Sequence, residues 1–242
     1  MGMKTVLSHL KETKPGVLAL FDPDRIPKSR IKEQTRLVCE SGVKGILIGS
    51  SILLNPQFES FVLEVKKNAS CPVILFPGGS HQISSHADAI LFLSLLSGRN
   101  PQFLIGEQIK AVFLIKEYNI EVIPVGYILI ESGSYTTVEY ISGTRPIPRN
   151  KPEIVIAHCL AAQYFGMKYI YLEAGSGAKN PVPKRVVQMV KKNIDIPLIV
   201  GGGIRREQEA EELLNAGADF IVLGSIIERS KKTFKNIMRS LR

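Results

Sequence analysis

The chain has 242 residues, 45% of them hydrophobic, and a formal net charge of +9. This length can bury a large core, and no linker or low-complexity tract divides it, so we expect a single domain over residues 1–242. The longest uncharged apolar runs, such as 89–96, are only strand-sized, and polar residues interrupt the first ten positions. The sequence therefore predicts neither a transmembrane helix nor a signal peptide, and it predicts a cytoplasmic location.

The positive charge is concentrated near the end of the chain. Six basic residues occupy the predicted last helix: Arg229, Lys231, Lys232, Lys235, Arg239 and Arg242. This pattern suits an anionic partner, such as a phosphorylated substrate, an acidic membrane surface or nucleic acid. It is equally typical of a helix face exposed to solvent, so the charge alone leaves both interpretations open.

The cysteine pattern does not predict disulfide bonds or a zinc site. Cys39, Cys71 and Cys159 lie far apart in the sequence, are odd in number and have apolar neighbours. Such a pattern argues against a disulfide framework or a zinc site, and we expect these side chains to pack in the core.

Short apolar runs alternate with helical patterns along the chain. The runs predict strands at 17–21, 44–48, 72–76, 88–95, 121–130, 168–173, 197–200 and 219–223. Helices are predicted between most of them, for example at 31–41, 55–68 and 102–118. Eight strands in this alternation predict a parallel TIM (β/α)8 barrel. Only a short segment separates the third and fourth strands, so the third helix is expected to be missing or reduced to a turn.

One predicted connection, at 131–151, is unusually long for a barrel. It contains Gly133, Gly143, Pro146 and Pro148 and has little hydrophobic periodicity. Because it follows the fifth strand, it lies on the mouth side of the barrel. Long connections inside a compact domain are usually functional, so we expect a lid over the site.

The last three predicted strands each run into glycine. The first of these junctions contains Gly175, Ser176 and Gly177, the next Gly202 and Gly203, and the last Gly224 and Ser225. Glycine has no Cβ, so backbone N–H groups can approach phosphate oxygens, and a helix that starts there adds the positive end of its dipole. In (β/α)8 barrels the last loops of the mouth often hold phosphate. The sequence therefore predicts a phosphate-binding cup.

Carboxylates end the first predicted strand at the same mouth. Asp22 and Asp24 are candidates for Mg²⁺, which takes one or two carboxylates and completes its shell with water and substrate phosphate. Ser51, after the second strand, is a weaker candidate ligand for the same ion. The alternative is an Asp-Pro-Asp turn without a metal.

The sixth strand offers a candidate acid–base pair. Glu173 ends this strand and is a candidate general base on a hydroxyl of the ligand whose phosphate the cup holds. Tyr171 lies two residues earlier, on the same strand face, and is a candidate hydrogen-bond partner for that hydroxyl. In the alternative interpretation, Tyr171 fills the core and Glu173 forms a salt bridge. Arg99, after the fourth strand, is a candidate contact for a second anion such as a diphosphate.

These motifs together resemble the geranylgeranylglyceryl phosphate synthase family, especially its longer branch. The resemblance runs in order from about residue 16 to the end, and its most specific strings are Tyr-Leu-Glu-Ala-Gly-Ser-Gly at 171–177 and Val-Gly-Gly-Gly-Ile at 200–204. It also includes 22–24, 48–51, 77–78, 97–101 and 224–225. The departures are small: Arg25 stands where lysine is usual, Ser50 replaces glycine, and Ser225 replaces threonine or asparagine.

The resemblance implies a Mg²⁺-dependent prenyltransferase of ether-lipid biosynthesis. Such an enzyme joins sn-glycerol 1-phosphate to geranylgeranyl or another long prenyl diphosphate and releases diphosphate. Asp22 and Ser51 match the family's metal positions. The glycerol phosphate positions match Tyr171, Leu172, Glu173, Ala174, Gly175, Ser176, Gly177, Gly202, Gly203, Gly224 and Ser225. A homo-oligomer, either a dimer or a hexamer, and a peripheral membrane contact are also expected. No nucleic-acid binding is expected.

Two alternatives belong to other functional classes. Another phosphate-binding barrel, of the histidine or tryptophan pathway type, is disfavoured because residues 125–130 of the fifth strand contain no aspartate. A non-catalytic anion-binding barrel would be expected to have lost its site residues, whereas Asp22, Ser51, Glu173 and the glycines are all present. The length of the prenyl chain stays open.

Overall fold

The computed structural model describes residues 5–241 and contains a closed barrel of eight parallel strands. The strands pair in sequence order, and the last pairs with the first. Their bounds are β1 (Gly16–Phe21), β2 (Gly45–Ile48), β3 (Val73–Leu75), β4 (Ala89–Leu95), β5 (Glu121–Leu129), β6 (Tyr169–Glu173), β7 (Leu198–Gly201) and β8 (Phe220–Leu223). The predicted barrel is confirmed, and every predicted strand agrees to within about one residue at each end.

Helices surround the barrel and alternate with the strands. Their bounds are α1 (Val6–Thr13), α2 (Lys28–Glu40), α3 (Phe58–Asn68), α4 (Glu107–Glu117), α5 (Thr137–Ser142), α6 (Pro152–Tyr164), α7 (Lys184–Lys191), α8 (Glu207–Asn215), α9 (Ser225–Arg229) and α10 (Lys231–Ser240). A π-helical turn at Gln102–Gly106 leads into α4. The connection at 76–88, between β3 and β4, holds only turns and bends. This confirms the prediction that the barrel lacks a helix after its third strand.

The sequence did not predict α1, which closes the end of the barrel opposite the mouth. The Glu121 carboxylate at the start of β5 accepts the backbone N–H groups of Val6 at 2.6 Å and Leu7 at 2.9 Å. These are N–H groups of the first turn of the helix, which have no partner within the helix itself. Leu10 of α1 is buried against the residues that fill the barrel interior.

Side chains alternate between two apolar layers along each strand. One layer fills the barrel interior and includes Leu47, Tyr169 and Phe220. The other lies between the strands and the helices and includes Ile46 and Ile170. This alternation follows from the two-residue period of a β strand, and it decides which residues of a strand can face a ligand at the mouth.

The basic last helix packs on the barrel through one face. Phe234 and Ile237 of α10 are fully buried, and Lys231 forms an ion pair with Glu33 of α2. Arg242, which was predicted to belong to this helix, lies outside the described residues. Among residues 5–241, no helix has both the length and the hydrophobicity needed to cross a membrane.

Candidate active site

A cavity of about 370 Å³ opens at the mouth of the barrel, where the strands end. It brings together residues from the ends of β1, β2, β6, β7 and β8 that are far apart in the sequence. The predicted site residues that line it are Asp22, Ser51, Tyr171, Glu173, Gly175, Ser176, Gly177, Gly202, Gly203, Gly224 and Ser225.

Three predicted site residues do not line this cavity. Leu172 and Ala174 are buried in the layer between strands and helices, because they alternate with Tyr171 and Glu173 along the chain. Arg99 borders a separate shallow pocket beside 145–148, and its guanidinium donates to the backbone oxygen of Gly98 at 2.8 Å. Any role of Leu172 or Ala174 in binding would therefore involve the backbone.

Glu173 is a buried carboxyl group at the base of the mouth. Its side chain is 5% exposed, and Oε1 accepts the backbone N–H of Gly175 at 2.6 Å. Burial raises the pKa of Glu173 to about 7, although the Gly175 N–H opposes the rise. A carboxyl group with this pKa can accept a proton near neutral pH and return it, as a general base requires.

Tyr171 belongs to an aromatic cluster below the mouth. Its ring stacks on Phe76, with centroids 5.1 Å apart, and lies 5.3 Å from the ring of Tyr127. Burial, together with the charge of Glu173, raises the pKa of the Tyr171 hydroxyl well above its usual value, so the group keeps its proton. No described residue gives this hydroxyl a hydrogen bond of ordinary length and angle, although it lies close enough to the Glu173 carboxylate for each group to shift the pKa of the other. A ligand hydroxyl in the cavity would satisfy it.

Glycines at the end of β7 permit close contact with Glu173 and Tyr171. A Cβ at Gly201 would overlap the Tyr171 hydroxyl, and one at Gly202 would overlap Glu173 Oε1. Gly202 and Gly203 also have φ values of +83° and +74°, which residues with a Cβ rarely adopt. The backbone of this junction can therefore lie directly against the catalytic candidates and the cavity.

The helices contribute less to the cup than the sequence predicted. Only α9 begins directly at its glycine, with Gly224 as its N-cap residue. In contrast, α8 begins at Glu207, and its Glu209 carboxylate accepts the N–H groups of Arg205 at 2.8 Å and Arg206 at 3.1 Å. Because the Glu209 carboxylate already accepts them, the N–H groups of Arg205 and Arg206 are not available to a ligand in the cavity.

Asp22 and Asp24 have different environments at the end of β1. Asp22 lines the cavity, half-buried, with Oδ2 3.3 Å from the Arg25 guanidinium, and burial raises its pKa. Asp24 instead accepts the backbone N–H groups of Leu54 at 3.1 Å and Asn55 at 2.6 Å. Both residues line the cavity. Both carboxylate oxygens of Asp24 are engaged by the loop after β2, whereas Asp22 makes its contacts within its own turn, to the N–H of Asp24 at 3.0 Å and to Arg25.

The donor set around Asp22 fits a magnesium ion that is shared with a substrate. Residues 5–241 contain no cluster of three or more His, Cys, Asp or Glu side chains that could enclose a metal. Mg²⁺ does not need such a cluster, because it is commonly held by one or two carboxylates together with substrate phosphate and water. Asp22 and the Ser51 hydroxyl, both lining the cavity, are oxygen donors of this kind.

Glu228 is a carboxylate of the cavity that sequence reasoning missed. It lies on α9, lines the cavity, and has Oε2 3.7 Å from the Arg25 guanidinium. Burial raises the pKa of Glu228, as it does that of Asp22. No local motif marks this residue, because it lies within the basic C-terminal segment and reaches the mouth only when β8 pairs with β1.

An apolar groove extends the cavity along β4. Its walls are Leu93 of β4, Phe103 of the π-helical turn, and Ala111 and Ile115 of α4. The connection at 76–88, which leads into β4, contains no helix. An apolar channel that starts at a polar mouth can hold an amphipathic ligand with an anionic head and a hydrocarbon tail.

The predicted lid lies over the same cavity. The connection at 131–151 contains α5, whose Thr137, Val138 and Ile141 line the cavity. It is fastened to its surroundings, because Asn100 donates to the backbone oxygen of Ser142 at 3.0 Å. The segment therefore forms a structured roof rather than an irregular loop.

Comparison with known proteins identifies the group to which the chain belongs. The model of the PcrB family matches residues 9–241. The chain belongs to the PcrB family. Its relatives include the geranylgeranylglyceryl phosphate synthases of Pyrococcus horikoshii, 46% identical over 88% of this chain and 83% of that protein, and of Spirosoma linguale, 41% identical over 87% and 84%.

Solved structures of this family agree with the PcrB assignment. The crystal structure of (S)-3-O-geranylgeranylglyceryl phosphate synthase from Thermoplasma acidophilum, in complex with its substrate sn-glycerol-1-phosphate, matches 98% of both chains with a TM-score of 0.93 and 36% identity. The resemblance noted in the sequence is confirmed. A thiamine phosphate pyrophosphorylase from Pyrococcus furiosus matches with a TM-score of 0.58 but only 13% identity, so it shares the fold alone.

Proposed function

We propose that this PcrB family member joins sn-glycerol 1-phosphate to geranylgeranyl diphosphate, or to another long prenyl diphosphate, and releases diphosphate. The observation that carries the proposal is a cavity with three connected parts: a glycine-lined mouth, a buried Tyr171–Glu173 pair, and an apolar groove along β4. The substrate complex of the Thermoplasma acidophilum relative supports the choice of glycerol phosphate.

The glycine segments would bind the phosphate of glycerol phosphate. Ser176 and Gly177, Gly202 and Gly203, and Ser225 line one side of the cavity, and their backbone N–H groups would be the donors. No arginine or lysine from β6, β7 or β8 lines the cavity among the described residues, so the backbone would be the main source of donors on this side. Such a cup fixes the orientation of the phosphate without a long cationic side chain.

Glu173 and Tyr171 would act on the glycerol hydroxyl that attacks the prenyl carbon. The Tyr171 hydroxyl, which lines the cavity beside Glu173, would donate a hydrogen bond to the substrate, and Glu173 would accept the proton that the attacking hydroxyl loses. An allylic carbon that loses diphosphate becomes strongly electrophilic, so the nucleophile needs orientation more than activation. The rigid packing of Tyr171 on Phe76 would supply that orientation.

Asp22 and Ser51 would hold the Mg²⁺ with which the prenyl diphosphate binds. When bound, the ion would neutralise the negative charge that develops on the departing diphosphate. Arg25, beside Asp22, is a second positive charge at this end of the cavity. The apolar groove would bury the prenyl chain and keep the cationic carbon away from water.

A turnover assay with labelled sn-glycerol 1-phosphate tests the reaction. The label should appear in a prenyl ether when prenyl diphosphates of graded length are supplied, and sn-glycerol 3-phosphate should be a poor substrate because its phosphate and hydroxyl are exchanged in space. No ether product with any prenyl diphosphate, or equal turnover of the two enantiomers, would contradict the proposal.

We expect Gly203→Ala to weaken glycerol phosphate binding selectively. A Cβ at Gly203 would lie 2.8 Å from backbone atoms of Asn180 and Pro181, at a φ of +74°. The junction must shift, so the KM for glycerol phosphate should rise roughly tenfold or more, with little change for the prenyl diphosphate. Gly166→Ala is the matched control, since Gly166 also has a positive φ of +80° but lies before β6, away from the mouth, and its Cβ would meet no atom within 4 Å. Equal changes in both KM values would show that the cup does not bind glycerol phosphate selectively.

A larger residue at Ala111 should shorten the prenyl chain that the protein accepts. Ala111→Phe places a ring in the groove beside Leu93, and forced overpacking of this kind costs about 1–3 kcal/mol. The kcat/KM for geranylgeranyl diphosphate should fall roughly tenfold relative to that for geranyl diphosphate. Val112→Phe is the control, because Val112 lies on the exposed face of the same helix. An unchanged ratio in Ala111→Phe would mean that the prenyl chain takes another path.

Several expectations from the sequence stay predictions. These are the cytoplasmic location, the peripheral membrane contact, the lack of nucleic-acid binding, and the homo-oligomer. The exposed apolar residues Ile105, Ile109 and Phe113 near and on α4 support an assembly that would bury them. Light scattering of the purified protein measures the oligomeric state directly.

A further inference from the structure

Two of the three cysteines meet at the end of the barrel opposite the mouth. Cys39 lies in the last turn of α2 and Cys71 lies shortly before β3, and their Sγ atoms are 3.5 Å apart. The sequence placed all three cysteines in the core, but both of these thiols are partly exposed. Their proximity is a product of the fold, because the C-terminal end of α2 packs beside the chain that enters β3.

The surroundings of the two thiols make them chemically different. The contact with the Cys71 thiol lowers the pKa of Cys39, against the effect of its partial burial. The same contact raises the pKa of Cys71. The backbone N–H of Ser70 also donates to Cys39 Sγ, at 3.5 Å. These directions favour the thiolate, the nucleophilic form of a thiol, at Cys39, with the Cys71 thiol 3.5 Å away.

We propose that Cys39 and Cys71 are a redox modification site that forms a reversible disulfide by exchange with a small disulfide such as oxidised glutathione. The Cys39 thiolate attacks one sulfur of the small disulfide, forms a mixed disulfide and releases one thiolate. Cys71 then gives up its proton and attacks Cys39 Sγ, which releases the second thiolate. The two protein thiols are oxidised, the small disulfide is reduced to two thiols, and no other reactant is needed.

The crosslink needs only a local movement. A disulfide bond is about 2.05 Å long, so the two sulfur atoms must approach by about 1.5 Å, a distance that rotation of partly exposed side chains can supply. The bond would tie α2 to the start of β3 and close the chain between residues 39 and 71. It would restrict the unfolded chain and leave the cavity, at the other end of the strands, unchanged.

Exposure of the reduced full-length protein to a series of reduced and oxidised glutathione ratios tests this site. Peptide mapping without reductant should recover a peptide pair joined through Cys39 and Cys71, with the loss of two hydrogen atoms. Cys159 should stay unmodified, because it is buried in α6 and burial raises its pKa to about 12. The variant Cys159→Ser, as a matched control, should form the same crosslink as the unchanged chain.

Single variants separate the two roles. Cys71→Ser should retain glutathione on Cys39 as a stable mixed disulfide, because no neighbouring thiol can resolve it, whereas Cys39→Ser should react far more slowly at Cys71. Oxidation should raise the Tm of the unchanged chain by roughly 5–15 °C and leave kcat/KM within about twofold. Reduction should reverse the Tm shift. A mixed disulfide on Cys39 without any crosslink in the unchanged chain, or no reaction across the series, would overturn the proposal.

Discussion

Glu173→Gln is expected to lower kcat roughly a hundredfold or more while the KM for glycerol phosphate stays within a few fold. The amide keeps the shape of the side chain, and its oxygen can still accept the N–H of Gly175, as the Glu173 carboxylate does at 2.6 Å. It cannot accept the proton of the attacking hydroxyl. Steady-state kinetics with both substrates, on protein whose fold is verified by circular dichroism, provide the measurement.

The pH profile distinguishes loss of a base from general damage. Burial raises the pKa of Glu173 to about 7, and only the ionised form can accept a proton. In the unchanged protein, kcat should therefore rise with pH and level off above about pH 8. This rising limb should vanish in Glu173→Gln. Glu40→Gln, an exposed change at the end of α2, should leave both the rate and the profile unaltered. Full activity in Glu173→Gln would exclude Glu173 as the base.

Asp22→Asn should reduce turnover at least as severely, roughly a hundredfold or more at fixed Mg²⁺. The change removes the negative charge that attracts the cation and would leave the charge of the departing diphosphate uncompensated. The Mg²⁺ concentration that gives half the maximal rate should rise, while binding of glycerol phosphate, measured by calorimetry without the prenyl substrate, should barely change. Normal rates and an unchanged Mg²⁺ requirement would show that the ion is held elsewhere.

Asp24→Asn is the matched comparison for Asp22→Asn. Asp24 lies two residues away on the same loop, but its carboxylate is occupied by the N–H groups of Leu54 and Asn55. We expect this variant to lose thermal stability, since one hydrogen bond to a charged group contributes about 1.5–3 kcal/mol. Its Mg²⁺ requirement should stay that of the unchanged protein. A raised requirement would mean that Asp24 also serves the metal.

The sequence by itself determined the barrel and the strand ends at its mouth. Apolar runs of strand length that stop at glycine or aspartate are strong local signals, because a buried parallel strand needs apolar residues on both faces and a mouth loop needs none. The same signals located Asp22, Glu173 and the glycine segments, since each belongs to the residues that end its own strand. The absence of a helix after β3 followed from the small number of residues between β3 and β4.

Only the tertiary structure decided which of these groups share a surface and what lies around them. Burial raises the pKa of Glu173, and the Asp24 carboxylate is held by backbone N–H groups some 30 positions away in the sequence. The helix α1 escaped prediction because its stability comes from Glu121 and the barrel interior rather than from its own short pattern. Glu228 at the cavity and the Cys39–Cys71 pair have the same origin: they depend on contacts between segments distant in the chain, which no local pattern of residues encodes.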